Sequence, residues 1–250
     1  MPEKDHTPRQ KRQNRRQLIN TKTPAAHICA AGYLKENIFM RMRKKKHADE
    51  RISACADIML DLADSEMASD AFLSHDKLRL EIGCGKGAFI CETAKRNPEI
   101  NFIAVEKISN VIVTALERAK AEDIPNIRFI IGDASAVCEK LAPGSIECLY
   151  LNFSDPWPKK GYAKRRLTHR DFLAKYKRIL KHDGAIFFKT DNRPLFDFSL
   201  EEFAASDFRL EAVTNDLHSS EYAKDNVMTE YETNFSSMGI PINRLEAYVK

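Results

Sequence analysis

The sequence of 250 residues predicts an α/β fold with a doubly wound, mostly parallel β-sheet. From Lys77 onward, short apolar runs alternate with segments of helical periodicity, as expected for repeated strand and helix units. The first apolar run leads directly into a loop with glycines at alternate positions, Gly83, Gly85 and Gly87. Several runs are continuously apolar, which is typical of strands that helices cover on both faces.

Seven strands are predicted from the apolar runs and the turn residues that bound them. The first five are separated by helical segments, so they should lie parallel to one another. The last two follow each other without a clear crossover helix, so we expect a hairpin-like end in which the last strand is antiparallel. The predicted strands are Leu78–Ile82, Asn101–Glu106, Ile127–Ile131, Ile146–Asn152, Gly184–Thr190, Phe208–Thr214 and Arg244–Val249.

Helices are predicted between these strands wherever apolar residues recur at a spacing of three or four. Thr168 and Asp171 have the spacing of a capping box, which predicts a helix start there. Pro194 suits the first turn of another helix, which should run to about Ala205. Weak helical patterning in residues 51–75 predicts a segment that docks on the sheet domain. The remaining predicted helices are Lys86–Arg96, a helix that is capped by Ser109, and Ser135–Leu141.

Positive charge is concentrated near the N-terminus. Residues 1–50 contain 13 Lys and Arg but only 5 Asp and Glu, whereas the whole chain contains 40 and 36. Residues 1–38 lack hydrophobic periodicity, so we expect a basic leader that is disordered without a ligand, followed by a single domain at 39–250. Charge placed in this way suggests a polyanionic partner, although a solvated tail would have the same composition.

The composition excludes several classes of protein. No apolar run approaches the roughly 20 residues that a membrane-spanning helix requires. No apolar run follows the N-terminal charges as it would in a secretory signal. The six cysteines form no C-x-x-C pair and no zinc-ligand spacing with histidine. We therefore expect a cytoplasmic protein with reduced thiols and no metal site.

Acidic residues mark the ends of three successive predicted strands. Glu81 and Glu106 lie in the first two strands, and Asp133 follows the third. Because the carboxyl ends of parallel strands meet at one edge of a sheet, these carboxylates should surround the glycine loop. Glu106 is placed to hold ribose hydroxyls, and Asp133 to accept a hydrogen bond from an adenine amino group.

The same three carboxylates favour S-adenosylmethionine over NAD as the ligand. They complement a cationic, phosphate-free molecule, whereas they would repel a pyrophosphate. The glycine spacing also fits the dinucleotide pattern G-x-G-x-x-A, so an NAD-dependent oxidoreductase is an alternative. That alternative needs a substrate domain, for which the chain has no room after residue 192.

A basic loop follows the fourth predicted strand. Six cations occur between residues 159 and 170 with no acidic residue among them. Such a loop can neutralise the backbone phosphates of an RNA, although a solvated loop is the alternative. Trp157, the only tryptophan, could stack on a nucleobase or pack beneath the loop. The six cations are Lys159, Lys160, Lys164, Arg165, Arg166 and Arg170.

Six motifs occur in one order, and they are Glu81–Gly87, Glu106, Asp133, Asn152–Lys160, Thr190–Asn192 and Thr229–Glu232. Over residues 40–250 this order resembles the tRNA (guanine-N7-)-methyltransferase family, and Asp155-Pro-Trp-Pro-Lys-Lys160 is its most specific part. The resemblance implies a Rossmann-like class I methyltransferase fold. It also implies transfer of a methyl group from S-adenosylmethionine to N7 of guanine 46 in the tRNA variable loop.

The resemblance also implies roles for individual residues. Asp155 matches the residue assigned as catalytic. The implied cofactor-binding positions are Glu81, Gly83, Gly85, Gly87, Glu106, Asp133 and Asp155. The implied substrate-binding positions are Lys159, Asp191, Thr229, Glu230, Tyr231 and Glu232. The implied partner is tRNA, the expected assembly is a monomer or a homodimer, and no obligatory protein partner is inferred.

The sequence departs from the family pattern in one place. Basic residues usually follow the two lysines of the motif, whereas Gly161-Tyr162-Ala163 stand here before Lys164-Arg165-Arg166. The family pattern therefore does not predict the contacts that this loop makes, while the positive charge of the loop is kept.

Two further functions are alternatives to an RNA methyltransferase. One is a nucleic-acid-binding protein without turnover. The other is a methyltransferase for a small molecule or a protein, and this second alternative would leave the basic loop unexplained.

Overall fold

A computed structural model describes residues 45–64, 67 and 70–250. The predicted basic leader, residues 1–38, lies outside the described residues, as does the beginning of the predicted domain. The division into a leader and a domain at 39–250 therefore stays a prediction.

Seven strands form one sheet, and they are β1 (Leu78–Ile82), β2 (Asn101–Glu106), β3 (Ile127–Ile131), β4 (Ile146–Asn152), β5 (Leu180–Thr190), β6 (Phe208–Thr214) and β7 (Asn243–Val249). Their order across the sheet is β3-β2-β1-β4-β5-β7-β6. Strands β1 to β5 are parallel, and β7 is antiparallel to both of its neighbours. The prediction of a mostly parallel sheet with an antiparallel last strand is confirmed.

The helices of the described part are α1 (Ala48–Ser53), α2 (Ala88–Arg96), α3 (Ser109–Ala121), α4 (Ala134–Lys140), α5 (Arg170–Ile179), α6 (Arg193–Ala205) and α7 (Glu230–Ser237). Short 3₁₀ turns lie at Ala56–Ile58, Lys160–Arg165 and Glu221–Ala223. None of these helices is long and apolar enough to cross a membrane.

Apolar layers cover both faces of the sheet. Along β2, Phe102 and Ala104 belong to an apolar cluster that includes side chains of α2 and α3, whereas Ile103 and Val105 belong to a second cluster that includes side chains of α4, α5 and α6. This division follows from the strand geometry, because successive side chains point to opposite faces. It explains why the strands read as continuous apolar runs, and it confirms the doubly wound arrangement.

The segment before β1 docks on the sheet domain, as its pattern predicts. Arg51 of α1 donates from Nε and Nη2 to the two carboxylate oxygens of Glu117 in α3, at 2.6 and 2.7 Å. The backbone N–H of Leu60 donates to the carbonyl of Phe129 in β3 at 2.9 Å. Among the described residues of this segment the α-helix is Ala48–Ser53, which is shorter than the pattern suggests.

The connection between the last two strands differs from the prediction. Strands β6 and β7 pair antiparallel, but no hairpin joins them, because α7 and a 3₁₀ turn lie between them. The sequence of α7 is mostly polar, and the side chains that it buries are Glu232 and Phe235. A helix with so few apolar residues gives little periodic signal.

Two local predictions about the α5–β5 region are wrong. Thr168 does not cap α5, because it is fully buried and its hydroxyl contacts Ser199 of α6 at 2.7 Å. His169 is the N-cap instead, and its ring nitrogen accepts from the backbone N–H of Asp171. Strand β5 begins at Leu180, earlier than predicted, because a register shift against β4 accommodates the polar residues that follow Leu180.

The described cysteines are all buried and form no disulfide. Burial raises the pKa of the Cys84 thiol in the glycine loop, so this thiol stays protonated and is a poor nucleophile. These five residues agree with the expectation of reduced core thiols, whereas Cys29 lies outside the described residues.

Candidate active site

The predicted site residues gather at the carboxyl ends of the parallel strands. Strands β1 and β4 are neighbours in the centre of the sheet, and the strand order reverses between them. Glu81 is in β1, Asn152 ends β4, and the loop that carries Asp155 begins directly after β4. In a doubly wound sheet this switch point is where ligands bind.

Backbone hydrogen bonds to β2 fix the conformation of the glycine loop. The N–H groups of Gly83 and Cys84 donate to the carbonyl of Val105 in β2, at 2.8 and 3.0 Å. Gly83, Gly85 and Gly87 have φ of 84°, 61° and 82°, which residues other than glycine rarely adopt. A methyl group at position 83 or 85 would meet no atom within 4 Å. Open space for a ligand therefore lies beside the first half of the loop.

Glu81 is a buried acid with an incomplete set of partners. Its Oε1 accepts from Asn152 Nδ2 at 2.8 Å. Its Oε2 is buried and accepts no hydrogen bond within the part of the chain that the structure describes. Burial raises the pKa of Glu81 to about 7, although the Asn152 hydrogen bond and the Lys189 charge act in the opposite direction.

Glu106 and Asp133 are already bound to backbone amides. Glu106 accepts from the N–H groups of Gly85 at 3.2 Å and Ile108 at 2.9 Å. Asp133 is the N-cap of α4, where it accepts from the N–H of Ser135, and it also pairs with Lys107 at 3.0 Å. Burial acts to raise the pKa of Asp133, but the hydrogen bonds from Lys107 and Ser135 outweigh it and the net pKa is lowered.

These carboxylates suit a cationic ligand with hydroxyl groups. Each carboxylate can accept about four hydrogen bonds, so Glu106 keeps acceptor capacity after binding two amides. The unpartnered oxygen of Glu81 is a buried acceptor that a cation would satisfy. A pyrophosphate would meet three acids at the strand ends, which is unfavourable. The observed residues therefore fit S-adenosylmethionine and disfavour NAD.

Asp155 lies in the loop after β4, and its side chain is exposed. It lies close enough to Tyr231 of α7 to affect the titration of the phenol. Burial raises the pKa of Tyr231, and the charges of Asp155, Glu106 and Glu230 raise it further. The structure therefore brings the predicted catalytic acid, one cofactor acid and the start of α7 to one place.

The predicted substrate residues at the start of α7 differ in exposure. Thr229 is the N-cap and accepts from the N–H of Glu232 at 3.0 Å. Glu230 is half-buried and accepts from Arg118 of α3 at 3.3 Å, while Tyr231 is 43% exposed. Glu232 is fully buried, so a direct contact with a substrate is not available to it in this structure.

Glu232 instead holds α7 against β5 through a buried network. Its Oε2 accepts from Lys189 Nζ at 2.7 Å, and its Oε1 accepts from Asn226 Nδ2 at 2.6 Å. Lys189 also donates to the carbonyl of Val227 at 2.9 Å. Burial lowers the pKa of Lys189, and the charge of Glu232 opposes this shift. Asp191, two residues after Lys189, is buried at the end of β5.

The cations of the basic loop differ in whether they contact other residues of the protein. Lys159, Lys160 and Lys164 are exposed, as the prediction requires. Arg170 is also exposed, but its guanidinium pairs with Glu202 of α6 at 2.7 Å. The contact of these cations with an RNA stays a prediction.

Trp157 packs within the loop, beside the segment that departs from the family pattern. The Arg165 guanidinium lies 5.0 Å from the centre of the Trp157 ring and 4.7 Å from that of Tyr162. The two rings meet edge to face, with their centres 6.1 Å apart. The Trp157 ring therefore contacts Arg165 and Tyr162 of its own loop, and its stacking on a nucleobase stays a prediction.

Comparison with known proteins agrees with this geometry. A family model described as "Putative methyltransferase" matches residues 75–245. A protein of Macrococcus caseolyticus named "tRNA (guanine-N(7)-)-methyltransferase" is 44% identical over 209 residues, which cover 83% of this chain and 99% of that protein. A protein of Brevibacillus brevis with the same name is 51% identical over 178 residues, or 71% of this chain and 83% of that protein.

The chain belongs to the tRNA (guanine-N7-)-methyltransferase family.

Solved structures similar to this methyltransferase support the class I methyltransferase fold. The 16S rRNA methyltransferase KamB aligns with a TM-score of 0.58 and 14% identity, over 75% of this chain and 94% of that chain. A 30S ribosomal A1408 methyltransferase from an uncultured bacterium aligns with a TM-score of 0.52 and 16% identity, over 75% and 94%. At this level of identity the likeness concerns the fold alone.

Two residues that support the site of this methyltransferase have no role in the sequence-based prediction. Asn152 binds Glu81, and Lys189 binds Glu232. The sequence does indicate a structural role for Lys189, since a lysine within an apolar strand needs a buried acidic partner. The identity of that partner is not readable from the sequence, because Glu232 is 43 positions away.

Proposed function

We propose that this chain transfers a methyl group from S-adenosylmethionine to N7 of guanine 46 in the variable loop of tRNA, forming 7-methylguanosine. The observation that carries the proposal is the meeting of two features at the β1–β4 switch point. One is the open space beside the glycine loop, with Glu81 and Glu106 next to it. The other is the exposed carboxylate of Asp155 at the start of a basic loop.

The donor site would use the strand ends and the glycine loop. Glu81, with its unpartnered oxygen, would complement the positive charge of the donor. Glu106 would accept hydrogen bonds from ribose hydroxyls, and Asp133 would accept from the adenine amino group. Gly83 and Gly85 would allow close approach of the donor to the backbone. When bound, the donor supplies an electrophilic methyl group on a sulfonium sulfur.

The proposed reaction depends on the orientation of guanine N7 towards the methyl group more than on proton transfer. Guanine N7 carries a lone pair and no proton, so no general base is needed to start the reaction. The purine becomes positively charged as N7 forms the new bond. Asp155 would stabilise that charge or accept a hydrogen bond from the N1/N2 edge of the base, and either contact would orient N7.

The tRNA would lie across the basic loop and the start of α7. The exposed cations Lys159, Lys160 and Lys164 would contact backbone phosphates. Glu230 and Tyr231, at the start of α7, would contact the nucleotide. The other three residues of the predicted substrate site are Thr229, Asp191 and Glu232, and all three are buried. Their burial favours an indirect role, in which they hold β5 and α7 in place.

The cellular setting forms part of the same proposal. We expect the enzyme in the cytoplasm, because tRNA is its substrate. A single chain contains all the acidic and basic residues named above, so a monomer suffices for the chemistry and a homodimer is compatible with it.

Nucleoside analysis tests the proposed reaction. Unmodified tRNA is incubated with the protein and a methyl-labelled donor, digested, and analysed by mass spectrometry. We expect label in 7-methylguanosine, and none when guanine 46 of the tRNA is replaced by adenine. Recovery of a different methylated nucleoside, or of labelled protein, would contradict the proposal.

Asp155→Asn tests the catalytic assignment in the same assay. The side chain is exposed, so the substitution should leave the melting temperature unchanged. Loss of a charge that stabilises the transition state typically costs about 100-fold or more in rate. Near-normal formation of 7-methylguanosine by the variant would refute the role of Asp155.

A further inference from the structure

The loop that carries Asp155 has an unusual backbone. Trp157 has a φ of 41°, in the left-handed region that is unfavourable for a residue other than glycine. Pro156 and Pro158 flank it, and neither has an N–H group that could anchor the loop. Asp155 itself accepts no hydrogen bond from a residue that the structure describes. The conformation of this segment therefore needs support from elsewhere in the protein.

Arg166 supplies that support. Its Nε donates to the carbonyl of Pro156 at 3.0 Å, and its Nη2 donates to the carbonyl of Trp157 at 3.1 Å. Its guanidinium also lies over the ring of Phe198 in α6, at 4.2 Å from the ring centre. Both carbonyls belong to the two residues that directly follow Asp155.

The geometry of Arg166 differs from that of its exposed neighbours. It is half-buried, whereas Lys164 and Arg165 are exposed. Within the described residues it forms no salt bridge with a carboxylate, and its planar fork is directed at two adjacent carbonyls. A lysine would have the same charge but could not form this fork. The contact depends on shape as well as on charge.

We propose that Arg166 is a positioning residue, which fixes the Pro156 and Trp157 carbonyls against α6 and thereby holds Asp155 in its reactive position. The inference rests on the proposed methyl transfer. It assigns Arg166 to a different task from the surrounding lysines, which contact RNA in that proposal. The alternative is that Arg166 binds an RNA phosphate, as a cation in a basic loop commonly does.

Arg166→Lys distinguishes these two roles, because it keeps the charge and removes the fork. If Arg166 is a positioning residue, the methyl-transfer rate at saturating tRNA and donor should fall about 10- to 100-fold. The dissociation constants of tRNA and donor should stay close to those of the wild type. A normal saturated rate with a raised dissociation constant for tRNA would overturn the inference and assign Arg166 to a phosphate.

Trp157 provides a second readout that does not require activity. It is the only tryptophan of the chain, so protein fluorescence excited at the indole band reports on this loop alone. Arg166→Lys should increase the quenching of Trp157 by acrylamide, since the loop loses its anchor. Unchanged quenching together with an unchanged rate would also overturn the inference.

Two further variants keep the experiment decisive. Arg209→Lys is the matched control, because the Arg209 guanidinium also lies over an aromatic ring, that of Tyr248 at 5.0 Å, but on the edge strand β6. It should change neither the rate nor the quenching. Phe198→Leu leaves Arg166 in place and removes its aromatic partner. It should lower the methyl-transfer rate and increase the quenching of Trp157, each by less than Arg166→Lys does.

Failure of the inference and failure of the proposed function are separable. If the wild type forms no 7-methylguanosine, the proposed function fails, while the quenching comparison still decides whether Arg166 anchors the loop. If the wild type is active and Arg166→Lys matches it in rate and quenching, only the positioning role fails.

Discussion

Glu81 illustrates how one side chain can link the fold to the proposed ligand. Burial raises its pKa to about 7 from 4.5. Between these values the folded protein keeps a proton that the unfolded chain has released, so this group makes folding less favourable as pH rises through the window. Above it, a carboxylate is buried, and among the described residues its one hydrogen-bond donor is Asn152. A cation bound nearby would offset that cost.

The donor affinity should therefore depend on pH through Glu81. A cationic donor favours the ionised carboxylate, so binding at about pH 7 should release a proton, and the affinity should rise between about pH 6 and pH 8. Calorimetry in buffers with different ionisation enthalpies measures the release. Glu81→Gln keeps an acceptor for Asn152, and it should bind the donor more weakly and release no proton. The same release from the variant would assign the proton to another group.

Two glycines of the loop, Gly85 and Gly87, have different structural roles although both belong to the same alternating pattern. A methyl group at Gly87 would lie 2.6 Å from Ala115 Cβ, so this glycine lets α3 approach the loop. At Gly85 the same methyl group would meet open space. Both have positive φ, yet only Gly87 is required for packing.

Alanine at these two positions should therefore affect different properties. Gly87→Ala combines overpacking with a strained backbone and should lower the free energy of unfolding by about 3 kcal/mol. Gly85→Ala has only the backbone strain and should cost about 1 kcal/mol. Its methyl group enters the space proposed for the donor, so it should weaken donor binding. Urea unfolding and donor titration measure the two effects, and equal destabilisation by both variants would contradict the assignment.

Single elements differ in how much of them the sequence predicts. Strands β1 to β4 match their predicted bounds, because helices on both faces require continuous apolar runs that end sharply. Helix α7 is missed, because tertiary contacts of Glu232 and the cap at Thr229 hold it rather than an apolar stripe. The start of α5 is missed for a related reason, since Thr168 is used in packing against Ser199.

For the whole molecule, the sequence predicts the location of the site better than the side-chain contacts that hold the site residues in place. The parallel topology brings Glu81, Glu106 and Asp133 to one edge without any knowledge of side-chain contacts. The pairing of Lys189 with Glu232 and the anchoring of the loop by Arg166 depend on distances between elements that are far apart in the chain. Such pairings are set by the packed structure, so local patterns do not specify them.

The distribution of charge over the molecule predicts a salt dependence of tRNA binding. Removal of Lys159 and Lys160 by alanine substitution should reduce the slope of log affinity against log salt by about 0.7–0.9 per lost phosphate contact. Lys140→Ala is the control, because Lys140 is exposed at the end of α4 that points away from the carboxyl edge of the sheet. Filter binding over a range of salt measures the slopes. An equal change from Lys140→Ala would mean that net charge, and not the loop, determines binding.

The strand order has a consequence for the synthesis of the protein. Strand β7 is made after all the others, yet it lies between β5 and β6. Until β7 has left the ribosome, β6 has no partner in the sheet and one edge of β5 exposes its backbone N–H and C=O groups. The nascent chain thus passes through a stage that invites pairing with other polypeptides, and we expect chaperones and proteases to act on it mainly during this interval.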